Sequence, residues 1–118
     1  MERNIELSCL LDYYGAFLTD RQRKLLDLHV NEDLSLGEIA DGEGISRQGV
    51  HDALRRAEQQ LMEMEEKLGL YKRTRETAGL IREIADEVST ASMQVEEKEK
   101  LLSMLLRLRS LWEEDHGI

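Results

Sequence analysis

The chain has no proline and a single cysteine. Proline is the residue that stops or kinks a helix. Its absence from 118 residues, with 41% apolar residues and abundant Leu, Glu, Lys and Arg, predicts an all-α fold. Cys9 has no partner for an internal disulfide. Its apolar neighbours predict a buried thiol in a reducing cytoplasm. No apolar run is long enough to span a bilayer. The first residues, MERNIELS, lack the basic start and apolar core of a signal peptide. A cytoplasmic protein without membrane insertion is expected, of one domain's length with an extension.

An excess of basic charge is also missing. The net charge of −9 divides as −2, −5 and −2 over residues 1–18, 19–70 and 71–118. Nucleic acid affinity comes largely from Lys and Arg on phosphates, so this balance opposes a simple nucleic-acid binder. Catalytic groupings are absent as well. His29, His51 and His116 are scattered, and no Cys–His or Ser–His–Asp pattern is evident. Gly42-Glu43-Gly44 lacks the Lys and the spacing of a phosphate loop. Glu63, Glu65, Glu66 and the run Glu96 to Lys100 read as solvated helix faces. No enzyme, metal or cofactor is expected.

What the chain does have is Leu34 to Leu54, LSLGEIADGEGISRQGVHDAL, which reads as a helix-turn-helix. Ala40 is the small residue where two helices cross, Gly44 the turn glycine, and Ile39, Ile45 and Val50 the apolar locks. Glycine suits a turn that needs positive φ, which costs a residue bearing a Cβ roughly 1 kcal/mol or more. Ser35-Leu36-Gly37-Glu38 is a capping box that starts one helix, and Ser46 can cap the next, opening with Arg47 and Gln48. Upstream, Thr19-Asp20-Arg21-Gln22 is a second capping box, opening a helix with Leu25, Leu26, Leu28 and Val30 as apolar positions.

Around this unit the 3.6-residue period predicts further helices. Residues 4–18 carry Leu7, Leu11, Tyr14 and Leu18 on one face. Residues 46–68 read as one long helix with Val50, Ala53 or Leu54, Ala57, Leu61, Met64 and Leu68 as its stripe, and Gly69 stands where a helix ends. Tyr71 to Val88 turn Ala78, Ile81, Ile84, Ala85 and Val88 inward. A break near Thr90 to Ser92 precedes a last helix from Val95 to Trp112. Its stripe, Leu101, Leu102, Leu105, Leu106, Leu108, Leu111 and Trp112, is wider than a surface helix needs. It can pack back on the long helix, meet a second copy, or do both. The expected organisation is a helix-turn-helix domain over residues 1–70 and a helical extension over residues 71–118, a candidate dimerisation element.

The stretch from Leu10 to Tyr71 resembles the YlxM-like proteins of Gram-positive bacteria and, more distantly, region 4 of sigma factors. The residues that carry the resemblance are Tyr14 to Thr19, the acidic turn Asn31-Glu32-Asp33-Leu34-Ser35, and Ile45-Ser46-Arg47-Gln48. Two positions depart from the pattern: Gly49 replaces an expected Ala, and His51 an expected Tyr. The resemblance implies an all-helical cytoplasmic regulatory protein, self-associating, and linked to the signal recognition particle by gene neighbourhood. The chain is too short for a complete sigma factor.

In a helix-turn-helix the second helix is the one offered to a nucleic acid groove. Between Ser46 and Ala57 the local charge is +2, from Arg47, Arg55 and Arg56 against Asp52. Arg47, Gln48, His51 and Arg55 are expected to face DNA or RNA, and Arg56 a phosphate. Asp52 and Glu58 stand at helical spacing from the two later arginines and could pair with them instead. The acidity leaves a second reading open, a protein-interaction module for signal recognition particle components.

Overall fold

The computed structural model describes residues 2–115, as six α-helices, one short 3₁₀ turn and no strand among the described residues. The helices are α1 (Glu2–Tyr14), α2 (Asp20–Val30), α3 (Leu36–Glu43), α4 (Arg47–Leu68), α5 (Leu70–Thr90) and α6 (Val95–Asp115). The chain forms two compact units, Met1–Gly69 and Leu70–Ile118.

In the first unit, helix starts fall where side chains can satisfy free backbone donors. Thr19 accepts from the Gln22 amide at 3.1 Å while the Gln22 side chain accepts from the Thr19 amide at 3.1 Å. Ser35 and Glu38 repeat this at α3, both bonds at 3.1 Å. The Glu38 carboxyl is held below its ordinary pKa by the hydrogen bonds from the Ser35 backbone and hydroxyl. Ser46 accepts from the Gly49 amide at 3.0 Å and starts α4. Gly49, three residues into that helix, thereby supplies the capped donor.

Helix ends are set by backbone conformation. Gly44 closes α3 at φ 68°, and Gly69 closes α4 at φ 64°. The first helix stops earlier than the pattern predicts. A 3₁₀ turn spans Gly15–Phe17, and Leu18 is extended at φ −83°, ψ 158°. The extended conformation leads into the Thr19 cap, so a helix through residue 18 is incompatible with the start of α2. Between α2 and α3, Asp33 adopts φ 56°. The His29 Nδ1 lies 3.1 Å from the Leu34 carbonyl, and Ser8 on α1 donates to the Asn31 side chain at 2.7 Å.

The buried apolar residues converge from all four helices. Leu7, Leu10, Leu11, Tyr14, Leu18, Leu25, Leu26, Val30, Ile39, Ala40, Val50, Leu54, Ala57 and Leu61 are buried. The Tyr14 hydroxyl donates to Glu65 at 2.8 Å, tying the end of α1 to the last turns of α4. Leu10, fully buried, falls on the same face as the predicted Leu7 and Leu11 and widens it. Cys9 sits on the flank of that face and is half-buried, in place of the buried thiol expected. Leu68, assigned to the α4 stripe, is 47% exposed.

In the second unit α5 and α6 form a hairpin. Trp112 donates from Nε1 to the Thr74 hydroxyl at 3.0 Å, and Lys98 donates to the Ser89 carbonyl at 3.1 Å. Ile81 is buried and Ala78, Ala85 and Val88 are half-buried, but Ile84, expected to turn inward, is 40% exposed. On α6, Leu102, Leu105 and Trp112 are half-buried, while the other leucines of the wide stripe are exposed. The inward part of that stripe packs on α5, its neighbour in the hairpin, where the expectation named the long helix over residues 46–68.

The left-handed turn at Gly44 supports a quantitative expectation. No atom lies within 4 Å of where a Cβ would stand, so a substitution meets only the backbone penalty. Gly44→Val is expected to lower stability by more than about 1 kcal/mol. An unchanged urea midpoint would contradict the turn.

Candidate nucleic-acid interface

The second helix of the motif, α4, divides lengthwise. Val50, Leu54, Ala57 and Leu61 are buried, at spacings of four, three and four residues. That burial against α1, α2 and α3 fixes the rotation of the helix. Arg47, Gln48, His51, Asp52, Arg55 and Arg56 are consequently all exposed. Gln48, Asp52 and Arg55 run along the middle of the outer face. Arg47 and His51 flank them on one side and Arg56 on the other, as rotation by about 100° per residue requires.

The ion pairs decide which of these charges stay available. Glu58, three residues after Arg55, is taken by Arg3 of α1 at 2.9 Å. Asp52 accepts from the Gln48 amide at 3.0 Å and lies 3.5 Å from the His51 Nδ1. Both carboxylates that the sequence brings within reach of Arg55 and Arg56 are thus engaged by other groups. Among the described residues Arg47, Arg55 and Arg56 form no ion pair. Lys24 of α2, by contrast, is paired with Glu43 at 3.1 Å. The motif is acidic in sum, yet its three unpaired arginines stand together on one helix.

Two residues outside the sequence-predicted set shape this face. Asp52 is one: it orients the Gln48 amide, and its own charge lies among the cations. The i,i+4 spacing of Gln48 and Asp52 signals the contact. Gly37 is the other. A Cβ built on Gly37 would stand 2.7 Å from a terminal nitrogen of Arg47 and 3.2 Å from its Cζ. The Arg47 guanidinium therefore lies against the bare backbone of the first turn of α3. Only the fold reveals this, since ten positions separate the two residues in sequence.

A second basic cluster, Lys72, Arg73 and Arg75, lies on α5. Arg75 sits over the Tyr71 ring, 5.5 Å from its centroid. Among the described residues no group of three or more His, Cys, Asp or Glu side chains is arranged to hold a metal. His116 lies outside the described residues. No helix of the described residues is long and apolar enough to cross a membrane.

Comparison with known proteins matches residues 1–102 to the family described as "Putative helix-turn-helix protein, YlxM / p13 like". The chain belongs to this family. A UPF0122 protein of Acetivibrio thermocellus is 40% identical over 116 residues, covering 96% of this chain and 99% of that protein. One of Bacillus pumilus is 38% identical over 108 residues, with 92% and 97% covered. A third, of Desulforamulus reducens, reaches 55% identity over 65 residues, covering 55% of this chain and 56% of that protein. The family description is of a helix-turn-helix protein and not of an enzyme.

The contact between Gly37 and Arg47 has a testable consequence. Alanine favours a helix over glycine, and the flexible Arg47 side chain can swing away. Gly37→Ala is expected to raise stability by about 0.4–1 kcal/mol, read from urea unfolding. A loss of similar size would mean that the guanidinium cannot leave its seat.

Proposed function

We propose that this protein is a cytoplasmic helix-turn-helix regulator that binds DNA or RNA through α4 and acts as a homodimer in the signal recognition particle pathway. The observation that carries the nucleic-acid reading is that Arg47, Arg55 and Arg56, spread across the exposed side of α4, form no ion pair among the described residues. Arg47, Gln48, His51 and Arg55 are the proposed contacts to a groove, and Arg56 to a phosphate. Gln can read adenine, and Arg can read guanine or phosphate. The first unit serves as the sigma region 4-like domain, and the α5–α6 hairpin as the dimerisation element. The link to the particle rests on the resemblance to the YlxM-like proteins and their gene neighbourhood.

The net charge limits affinity. With −5 on residues 19–70, repulsion from the remainder of the module opposes the attraction at α4, so binding is salt-sensitive. The same acidity favours the second reading, a module that binds protein components of the particle and no nucleic acid. A nucleic acid column at low salt separates the two. Retention abolished by moderate salt supports nucleic acid binding, and no retention supports the protein-binding module.

For the proposed contacts, Arg47→Ala with Arg55→Ala is expected to weaken binding while leaving the helical signal intact. The magnitude of the salt slope should fall by about one unit for each phosphate that is no longer neutralised. Gly37→Ala should weaken binding only while Arg47 is present. Full binding by the arginine double variant would move the site elsewhere, Lys72, Arg73 and Arg75 being the next cluster.

A further inference from the structure

The α5–α6 hairpin leaves one long apolar face uncovered. On α6, Leu101, Met104, Leu108 and Leu111 are 36%, 53%, 49% and 56% exposed. Their spacings of three, four and three residues are those of a helix–helix seam. On α5, Leu80 and Ile84 are 57% and 40% exposed. Leu80, Ile84, Val88 and Leu101 line a single groove of about 750 Å³. The two apolar rows therefore lie on the same side of the hairpin, beside the inner seam of Ile81, Leu102, Leu105 and Trp112.

We propose that this face binds a second copy of the chain, with α5 of each copy lying on α6 of the other about a two-fold axis that runs along the helices. The proposal rests on the homodimer of the preceding reading and is independent of its nucleic-acid contacts. Area is the first argument. Six large side chains, each offering on the order of 100 Å², with the rims beside them, approach the roughly 800 Å² per partner of a standard interface. An apolar face of this extent on a two-helix unit calls for a cover.

Charge is the second argument, and it selects the occupant. Beyond the apolar row of α5, from Glu76 onward, the next positions around the helix are Glu76, Glu83 and Glu87, while Lys72 and Arg73 lie on the same side one turn nearer the start of the helix. Beyond the row of α6 the next positions are Lys100 and Arg107. These three glutamates, Lys100 and Arg107 are exposed, and none forms an ion pair among the described residues. One face thus carries an acidic rim along one edge and a basic rim along the other. The Trp112–Thr74 and Lys98–Ser89 contacts fix the register of the hairpin. In that register Lys100 and Arg107 stand level with the stretch from Glu76 to Glu87. A two-fold axis along the helices brings each acidic rim against the basic rim of the other copy, with neighbouring helices antiparallel. An axis across the helices would set glutamates against glutamates. A face complementary to itself in this way is what a symmetric dimer requires.

The intact protein at micromolar concentration is expected to show twice its 13.7 kDa mass in light scattering. Leu101→Glu with Leu108→Glu should return it to the monomer mass with its circular dichroism unchanged. These two positions are a cleaner choice than Leu105, which also packs inside the hairpin. Glu83→Lys with Glu87→Lys should raise the dimer dissociation constant about tenfold. Adding Lys100→Glu and Arg107→Glu should reverse that change. A monomeric intact chain would overturn both this proposal and the homodimer. A dimer that survives Leu101→Glu with Leu108→Glu would overturn this face and leave the homodimer standing. Failure of the reversed charges to restore the dimer would overturn the axis.

Discussion

The rotation of α4 about its own axis is the constraint on which the rest of the candidate interface depends. Four buried side chains, Val50, Leu54, Ala57 and Leu61, fix that rotation. Everything on the opposite side follows from it. Because Gly44 turns the chain at positive φ, α4 leaves α3 in the direction that seats Val50 in the core. Because Ala40 is small and buried, α3 and α4 can approach closely enough for the Arg47 guanidinium to rest on Gly37. A change in any of these would rotate the arginines or separate them without altering a residue of the exposed face itself.

The electrostatics work by local pairing more than by net charge. An acidic module would ordinarily hold its arginines in internal ion pairs. Here Glu58 is drawn to Arg3, Glu43 to Lys24, and Asp52 to Gln48 and His51. Exposed pairs of this kind contribute little to stability. Their consequence is to decide which cations remain available on the surface. The same logic holds in the hairpin, where Glu83, Glu87, Lys100 and Arg107 form no ion pair among the described residues and the apolar row between them is exposed.

Much of the fold can be read directly from the residues. Thr19, Ser35 and Ser46 cap helices as their types and spacings predict, and Gly44 and Gly69 end them in the left-handed conformation. These signals are local, so they survive without knowledge of the tertiary structure. What the sequence misplaced depends on packing. The end of α1 at Tyr14 is set by the cap of the next helix. The exposure of Ile84 and Leu68 and the half-burial of Cys9 depend on which neighbour reaches each face. Within the interface, periodicity exposes Arg47, Gln48, His51, Arg55 and Arg56 together. The diversion of Glu58 to Arg3 spans 55 positions and has no local signal.

The salt dependence of nucleic acid binding by the intact protein tests the central claim most directly. Each unpaired arginine of α4 that neutralises a phosphate should make the logarithm of the binding constant fall by about 0.9 per unit of the logarithm of salt concentration. The expected slope is about −1 with Arg56 alone on a phosphate, and up to about −3 if Arg47 and Arg55 also reach the backbone. Absence of binding to either DNA or RNA at low salt, or a slope near zero, would contradict the account and leave α4 as a surface for protein partners.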